Sequence, residues 1–97
     1  MTDYIITYDV NTQTKEGRRR LRQVAQACAS WGQRVQFSVF ECSLNEMQME
    51  ALVERLAKII DLKDDSLRVY RLAGGRHSAV KVFGRDKYVS FKDPLIA

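Results

Sequence analysis

The chain has 97 residues, enough for one domain and too few for two, and its 45% hydrophobic and 29% charged residues are ordinary for a folded soluble protein. A formal net charge of +4 and a pI near 9.3 favour an anionic partner, nucleic acid first. No apolar run is long enough to span a membrane and no signal peptide is present, so we expect a cytoplasmic protein with reduced cysteines.

Residues 4–10 predict a buried strand, because residues 4–8 are all β-branched or aromatic. Asp9 falls where this strand should end, in front of an arginine-rich helical segment. A carboxylate at the C-terminal end of a strand is a common position for chemistry in α/β architectures. The alternative is that Asp9 only ends the strand and helps to cap the next helix, and the residues alone leave both interpretations open.

Residues 15–31 predict the first helix, with Thr14 as N-cap and Gly32 as C-terminal stop. Its buried stripe is Leu21, Val24, Ala25 and Cys28. Arginines crowd its early turns, where the helix dipole disfavours cations; they are Arg18, Arg19, Arg20 and Arg22. They indicate either contacts with phosphates or a solvated basic face.

The middle of the chain predicts further strands and a second helix. Residues 33–43 alternate either as one long strand or as two short strands with a turn near residues 37–38, and Phe40 is expected to pack in the core or an interface. Residues 45–60 predict the second helix, with Asn45 as N-cap and Gln48 in an imperfect capping box. Its apolar stripe is Met49, Leu52, Val53, Leu56, Ile59 and Ile60.

A polar loop at residues 61–66 leads to a predicted strand at residues 67–72. Residues 73–78 predict a second loop, in which two consecutive glycines turn the chain. His77 lies in this loop, and a single loop histidine with no second ligand nearby is expected to be a surface residue. The glycine pair predicts a turn and not a phosphate loop, because no helix pattern follows it.

Residues 79–83 and 87–92 predict two short strands around a turn, and the tail at residues 93–97 is apolar. The order β, α, β or ββ, α, β and extra strands predicts one α+β domain over residues 1–97. We expect a ferredoxin-like βαββαβ sandwich, an antiparallel sheet with two helices on one face. The other face would be bare without a partner, so we expect a homodimer through the sheet face, with residues 79–97 pairing with the partner protomer.

Among the scattered carboxylates, only Asp9 lies at a strand end beside a basic helix. One carboxylate is few for a hard cation, but a two-fold axis would bring a second copy, and one Mg²⁺ shared by two protomers could lie between them with waters. Such a metal would activate a water and offset charge on a phosphodiester. Arg20, Arg22 and Arg34 would then hold the flanking phosphates.

Several segments together resemble CRISPR-associated protein 2, in the same order and over essentially the whole chain. They are Tyr8-Asp9-Val10, residues 18–25, the Arg-Val-Gln-Phe-Ser-Val-Phe-Glu stretch within residues 32–42, residues 65–70 and residues 93–96. The resemblance implies a ferredoxin-like homodimer whose C-terminal strand crosses to the partner. It also implies a Mg²⁺-dependent endonuclease that acts on single-stranded RNA or double-stranded DNA.

Residue by residue, the resemblance implies that Asp9 binds the metal. It implies roles in cleavage for Tyr8, Arg20, Arg22, Arg34 and Phe40. Arg18 and Arg19, which precede Arg20 on the same basic helix, are further candidates for nucleic-acid binding. The resemblance also implies a second, non-enzymatic role, in which the dimer bridges the CRISPR integrase, CRISPR-associated protein 1, and holds prespacer DNA. Pro94, Leu95 and Ile96 would then dock the integrase. A third possibility, an RNA-binding module, lacks the expected stacked-aromatic motif.

Overall fold

Seven elements follow one another in residues 1–88, the part of the chain that the computed structural model describes. They are β1 (Thr2–Asp9), α1 (Lys15–Ala29), β2 (Gln33–Gln36), β3 (Val39–Leu44), α2 (Glu46–Ile59), β4 (Ser66–Arg71) and α3 (Arg76–Ala79). The predicted α+β class is confirmed. Within residues 1–88, none of the helices combines the length and apolar character that crossing a bilayer requires.

The four strands form one sheet in the order β2-β3-β1-β4, and every neighbouring pair is antiparallel. Alternation along the central strand β1 buries Tyr4, Ile6 and Tyr8 on one face. The buried residues of α1 and α2, among them Val24 and Leu56, join the same hydrophobic core. Both helices therefore cover one face of the sheet, as the sequence predicts.

Both long helices begin at the predicted caps. The Thr14 hydroxyl accepts from the Gly17 amide at 3.0 Å, and Asn45 and Gln48 complete a capping box at 2.8 and 3.0 Å. Helix α1 ends at Ala29, two residues before the predicted end. Gly32 is required for another reason than a helix stop, because a Cβ there would lie 2.7 Å from the carbonyl oxygen of Glu41 on β3.

Residues 33–43 form two strands, so the two-strand alternative is the right one. The turn at residues 37–38 is tied back to β1, where the Tyr8 amide donates to the Ser38 carbonyl at 3.1 Å. Phe40 follows the turn and is 1% exposed, which confirms that it packs in the core. The turn therefore fixes β2 and β3 against the strand that carries Asp9.

The predicted loop at residues 73–78 is wrong in its second half, where Arg76–Ala79 forms the short helix α3. Gly74 and Gly75 adopt positive φ angles of 77° and 85° and turn the chain into it. The Asp3 carboxylate then accepts from the Arg76 amide at 2.7 Å. This partner lies on β1, far away in sequence, so no local pattern indicates the helix. His77 lies in α3 and is exposed, as expected of a surface residue.

The predicted strand at residues 79–83 does not form within the described part of this chain, and its expected pairing with a partner protomer stays a prediction. Ala79 ends α3, and residues 80–83 take part in no strand ladder with the rest of residues 1–88. Side-chain alternation marks an extended chain, but a strand also needs a neighbour for its backbone hydrogen bonds. Residues 87 and 88 are not in a strand either, and the remainder of the predicted strand at 87–92 lies outside the described residues with Pro94, Leu95 and Ile96.

The sheet face opposite α1 and α2, here called the open face, carries Asp3, Ile5, Thr7 and Asp9 of β1 and Glu41 of β3. The expectation that it is bare is only partly right. The segment that follows β4 crosses the open face at the end that carries Glu41. Arg76 pairs with Glu41 and with Asp86 at 2.9 Å, and its guanidinium lies 3.9 Å from the centre of the Tyr88 ring. At the opposite end of β1, Asp9 is exposed.

Candidate functional site

Asp9 is the last residue of β1, and its side chain is exposed. It follows buried Tyr8 and therefore points to the open face. Its partner across the ladder is Ser66, the first residue of β4, so the pairing of β1 with β4 ends at this position. The structure thus places the carboxylate where the sequence predicts it, at the C-terminal end of the central strand.

The chain after Asp9 is fixed by a buried carboxylate, that of Asp65. Its side chain is 0% exposed, and one oxygen accepts from the Asn11 amide at 3.0 Å. The other oxygen accepts from the Asp61 amide at 2.8 Å. Asp65 precedes Ser66, the ladder partner of Asp9, so this one side chain holds both strand ends at the candidate site.

Arg20 closes the same cluster from helix α1. Its Nε and Nη2 donate to the two oxygens of Asp65 at 2.8 and 3.3 Å, and its side chain is 18% exposed. Burial raises the pKa of Asp65, but the hydrogen bonds from Arg20 and from the Asp61 and Asn11 amides outweigh burial, and the pKa is lowered from its ordinary value. The edge of the Arg20 guanidinium that carries Nε and Nη2 is therefore already engaged by a carboxylate of the protein itself.

The other predicted arginines of α1 are differently placed. Arg18, Arg19 and Arg22 are exposed on the helix surface. Arg18 makes one backbone contact, from its Nη1 to the carbonyl of Thr12 at 3.2 Å. These three side chains form the basic surface that the sequence predicts, and a polyanion in solvent can reach them.

Tyr8, Arg34 and Phe40 form a second cluster. The Tyr8 and Phe40 rings stack with centroids 6.2 Å apart, and the Arg34 guanidinium lies 5.3 Å from the Phe40 centroid. The Tyr8 hydroxyl donates to the Phe37 carbonyl at 3.2 Å. Burial raises the pKa of Tyr8, against the hydrogen bond and positive charge of Arg34.

This second cluster lies on the helix-covered face, because Arg34 pairs across the sheet with Phe40, and Phe40 pairs with Ile6. Asp9 lies on the opposite face of the same sheet. The structure therefore brings three of the predicted cleavage residues together, but in one chain it does not bring them to Asp9. Tyr8 and Phe40 are also buried, which leaves Arg34 as the exposed member of the cluster.

A divalent metal is compatible with the donor at Asp9. Mg²⁺ keeps several waters and is commonly held by one or two carboxylates, and Asp9 offers one exposed carboxylate per chain. Among residues 1–88, no three histidine, cysteine, aspartate or glutamate side chains are grouped so that they could hold a metal. Asp9 therefore fits a solvated site completed by a second carboxylate or by substrate oxygens.

No role was predicted for Asp65, although it begins the segment 65–70 that resembles the family. Its partners Arg20 and Asn11 lie 45 and 54 positions away, so only the folded chain brings them together. The Arg76 cluster was missed for the same reason, since Glu41 lies 35 positions away. The position of Asp65 at the end of a polar loop, next to a predicted strand, was the local signal available in the sequence.

Comparison with known families decides what kind of protein carries this site. The family model described as CRISPR associated protein Cas2 matches residues 1–80. The chain belongs to the Cas2 family. A Cas2 relative from Moorella thermoacetica, named CRISPR-associated endoribonuclease Cas2 1, is 51% identical over 95% of this chain and 96% of its own. One from Halalkalibacterium halodurans, named CRISPR-associated endonuclease Cas2, is 46% identical over the same shares.

Solved structures share the fold, among them one of a Cas2 protein. Streptococcus pyogenes Cas2, crystallised at pH 6.5, superposes with a TM-score of 0.75 at 48% identity and covers 84% of this chain and 99% of its own. A hypothetical protein from Thermus thermophilus, TT1823, superposes with a TM-score of 0.74 at 36% identity over 90% and 95% of the two chains. The residues matched by the family model, 1–80, contain β1, with Asp9 at its end, and both long helices.

Proposed function

We propose that this Cas2 protein is a Mg²⁺-dependent endonuclease of CRISPR immunity that hydrolyses phosphodiester bonds in single-stranded RNA or double-stranded DNA. The observation that carries the proposal is the exposed carboxylate of Asp9 at the end of the central strand, with the following loop fixed by Asp65. Relatives named endoribonuclease and endonuclease support the reaction class. The protein would act in the cytoplasm.

In this proposal Asp9 holds the metal, and one ion is shared by the Asp9 residues of two protomers. The bound metal would supply Lewis acidity and lower the pKa of a bound water. The exposed guanidinium groups of Arg18, Arg19 and Arg22 hold substrate phosphates, and Arg34 adds a further cation from β2. Backbone contacts of this kind position a strand and leave its base sequence unread.

A homodimer through the open face follows from the same proposal. The order β2-β3-β1-β4 and the succession βαββαβ support a ferredoxin-like sandwich, in which the Asp9 end of the open face is left to meet a partner while residues 76–88 cover the other end. Asp9 lies on that face, whereas Arg34 lies on the other. A two-fold axis at that end of the face would pair the two Asp9 carboxylates. Residues 89–97, with Pro94, Leu95 and Ile96, would add to the partner protomer.

A second candidate function is a non-catalytic adaptor that bridges CRISPR integrase dimers and binds prespacer DNA. The basic surface of Arg18, Arg19 and Arg22 favours it, because these exposed cations suit a duplex backbone and need no metal. The integrase would dock on the C-terminal tail. The two functions use different residues, so a variant at Asp9 separates them.

The test is cleavage of labelled single-stranded RNA and duplex DNA with Mg²⁺ over a pH series, comparing the wild type with Asp9→Ala. We expect the wild type to cleave one substrate and Asp9→Ala to lose roughly a hundredfold or more in rate, because changing residues that only support metal ligands already costs about 10- to 100-fold. The matched control is Asp64→Ala, which removes another exposed aspartate and should cleave like the wild type.

Folding is checked by thermal unfolding, and Asp9→Ala should melt near the wild-type midpoint because the side chain is exposed. Equal cleavage by the wild type and Asp9→Ala would contradict the nuclease and indicate contamination. An inactive wild type that still binds duplex DNA would favour the adaptor.

A further inference from the structure

The ion pair of Arg20 and Asp65 lies close to Asp9 in the fold, but its side chains are not on the open face. It joins the segment after β1, the second turn of α1 and the segment before β4 through the carboxylate of Asp65. Four donors surround this carboxylate, two from the Arg20 side chain and two from the Asn11 and Asp61 amides. A fully buried carboxylate with that many partners is a rigid anchor.

The anchor acts at the point where the strand pairing stops. Asp9 pairs with Ser66, so continuing the register by one step would set Val10 opposite Asp65. The ladder ends there, and the Asp65 side chain takes the Asn11 amide in place of a backbone carbonyl. Asp9 is therefore held on one side by its last ladder partner and on the other by Asn11.

We infer that Asp65 and Arg20 act as one positioning pair for Asp9, an inference that rests on the proposed nuclease function. Asp65 fixes the backbone at Asn11, and Arg20 orients the Asp65 carboxylate through both of its oxygens. Neither residue touches substrate. This role differs from the one that the family resemblance implies for Arg20, which is a part in cleavage and a grip on nucleic acid.

The placement of Arg20 argues against a direct grip on phosphate. A bidentate contact occupies the planar edge of the guanidinium, and the side chain is 18% exposed. To reach a phosphate, Arg20 would have to leave Asp65 buried without its partner, which is costly. Arg22, two positions further along α1, is exposed and has no such cost.

The experiment separates catalysis from binding. It measures kcat and KM for Asp65→Asn, Arg20→Gln, the double variant and Arg22→Gln on whichever nucleic acid the wild type cleaves. It also measures the affinity of the same fluorescein-labelled nucleic acid in EDTA, where no cleavage occurs. Thermal unfolding sets an assay temperature below every midpoint.

We expect Asp65→Asn and Arg20→Gln each to lower kcat by roughly 10- to 100-fold, since small displacements of a reacting group have effects of this order. KM and the affinity in EDTA should stay within about twofold, because no phosphate contact is lost. The double variant should be no worse than either single variant, as for residues that act as a unit. Arg22→Gln should instead weaken binding and reduce its salt dependence.

Weaker binding by Arg20→Gln, with unchanged binding by Asp65→Asn, would overturn the inference and assign Arg20 to phosphate. Unchanged kcat in Asp65→Asn would overturn it too. If a single variant unfolds below the assay temperature, the double variant is tested alone, because it leaves neither charge unpaired. Lower kcat with unchanged affinity would then support the inference, and unchanged kcat would overturn it. A wild type without activity would overturn the proposed nuclease and this role together, whereas an active wild type beside active variants would overturn only the inference.

Discussion

Two aspartates lie at the end of β1, and they differ in exposure to solvent: Asp9 is exposed and Asp65 is buried. Asp9 is exposed and makes the ladder contact only through its backbone, whereas the Asp65 side chain is fully buried and satisfied. Exposure leaves Asp9 free to bind a ligand, and burial makes Asp65 part of the frame. The chemistry proposed for Asp9 thus depends on a residue whose own role is structural.

Asp65 also makes stability depend on pH. Its pKa is lowered in the folded chain, where the Arg20 and amide hydrogen bonds overcome the effect of burial, so its ionised form stabilises the fold above the unfolded pKa of about 3.9. This contribution is lost as the pH falls through the lower folded pKa. We expect the urea unfolding free energy to fall from pH 6 to pH 3, and to fall less in Asp65→Asn.

Asp64→Asn is the control for this measurement, because Asp64 is an exposed neighbour of the same residue type. The unfolding free energy of Asp64→Asn should fall between pH 6 and pH 3 as steeply as that of the wild type. A profile of Asp65→Asn that fell as steeply as the wild type between pH 6 and pH 3 would show that other carboxylates carry the acid sensitivity.

At the scale of elements, the turn from β1 into α1 is packed backbone against backbone. A Cβ at Gly17 would lie 1.9 Å from the Asn11 carbonyl oxygen, so only glycine allows this approach. Alanine inside a helix usually gains up to about 1 kcal/mol over glycine. At this position it must push Asn11 away, and with it the segment that Asp65 holds.

We therefore expect Gly17→Ala to lower the free energy of unfolding by about 1–3 kcal/mol. We also expect it to reduce cleavage by the folded protein, because Asn11 lies two positions after Asp9. Urea unfolding and the cleavage rate measure the two effects. Gln23→Ala, at an exposed position of α1, should be neutral or slightly stabilising. A Gly17→Ala protein as stable as the wild type would refute the close contact.

Elements with local signals were predicted well. Thr14 and Asn45 cap helices because their partners lie three residues away, and the apolar stripes of both helices need only the helical period. The split of residues 33–43 was left open, because the turn is fixed by Tyr8, which lies on another strand. Helix α3 was missed since the carboxylate that accepts from its first amide, that of Asp3, comes from the start of the chain.

The candidate site shows the same division. Asp9 was predicted because a carboxylate at a strand end can be recognised along the sequence. The arginines of α1 were treated as equivalent, since nothing local distinguishes Arg20 from Arg22. Only the fold brings Asp65 to Arg20 and leaves Arg22 exposed.

At the scale of the whole molecule, Arg76 ties the end of the described chain to the sheet. It links Glu41 of β3, Asp86 and the Tyr88 ring, while its amide donates to Asp3 of β1. Glu41 is 6% exposed, so removing the guanidinium would leave a buried carboxylate without that partner. This cluster holds residues 76–88 over one end of the open face.

We expect Arg76→Met, which keeps much of the apolar stem, to cost about 2–3 kcal/mol and to lower Tm by roughly 10–20 °C. Differential scanning calorimetry measures the change. Arg71→Met removes an exposed arginine of β4 and should leave Tm within a few degrees. An equally small shift for Arg76→Met would mean that the cluster does not hold the segment.

A change of metal preference in Asp9→Cys would show whether Asp9 itself binds the catalytic metal. A thiolate binds softer metals than Mg²⁺, so cleavage is compared in Mg²⁺ and in Cd²⁺, each relative to the wild type. Cys28 and Cys42 are buried in the core, and burial raises their pKa values to about 11 and about 12, so both thiols are poor ligands for Cd²⁺ near neutral pH in the folded chain.

If Asp9 is a metal ligand, the activity of Asp9→Cys relative to the wild type should be at least about tenfold higher in Cd²⁺ than in Mg²⁺. The same relative activity in both metals would contradict direct coordination by Asp9, and with it the nuclease site proposed at this strand end.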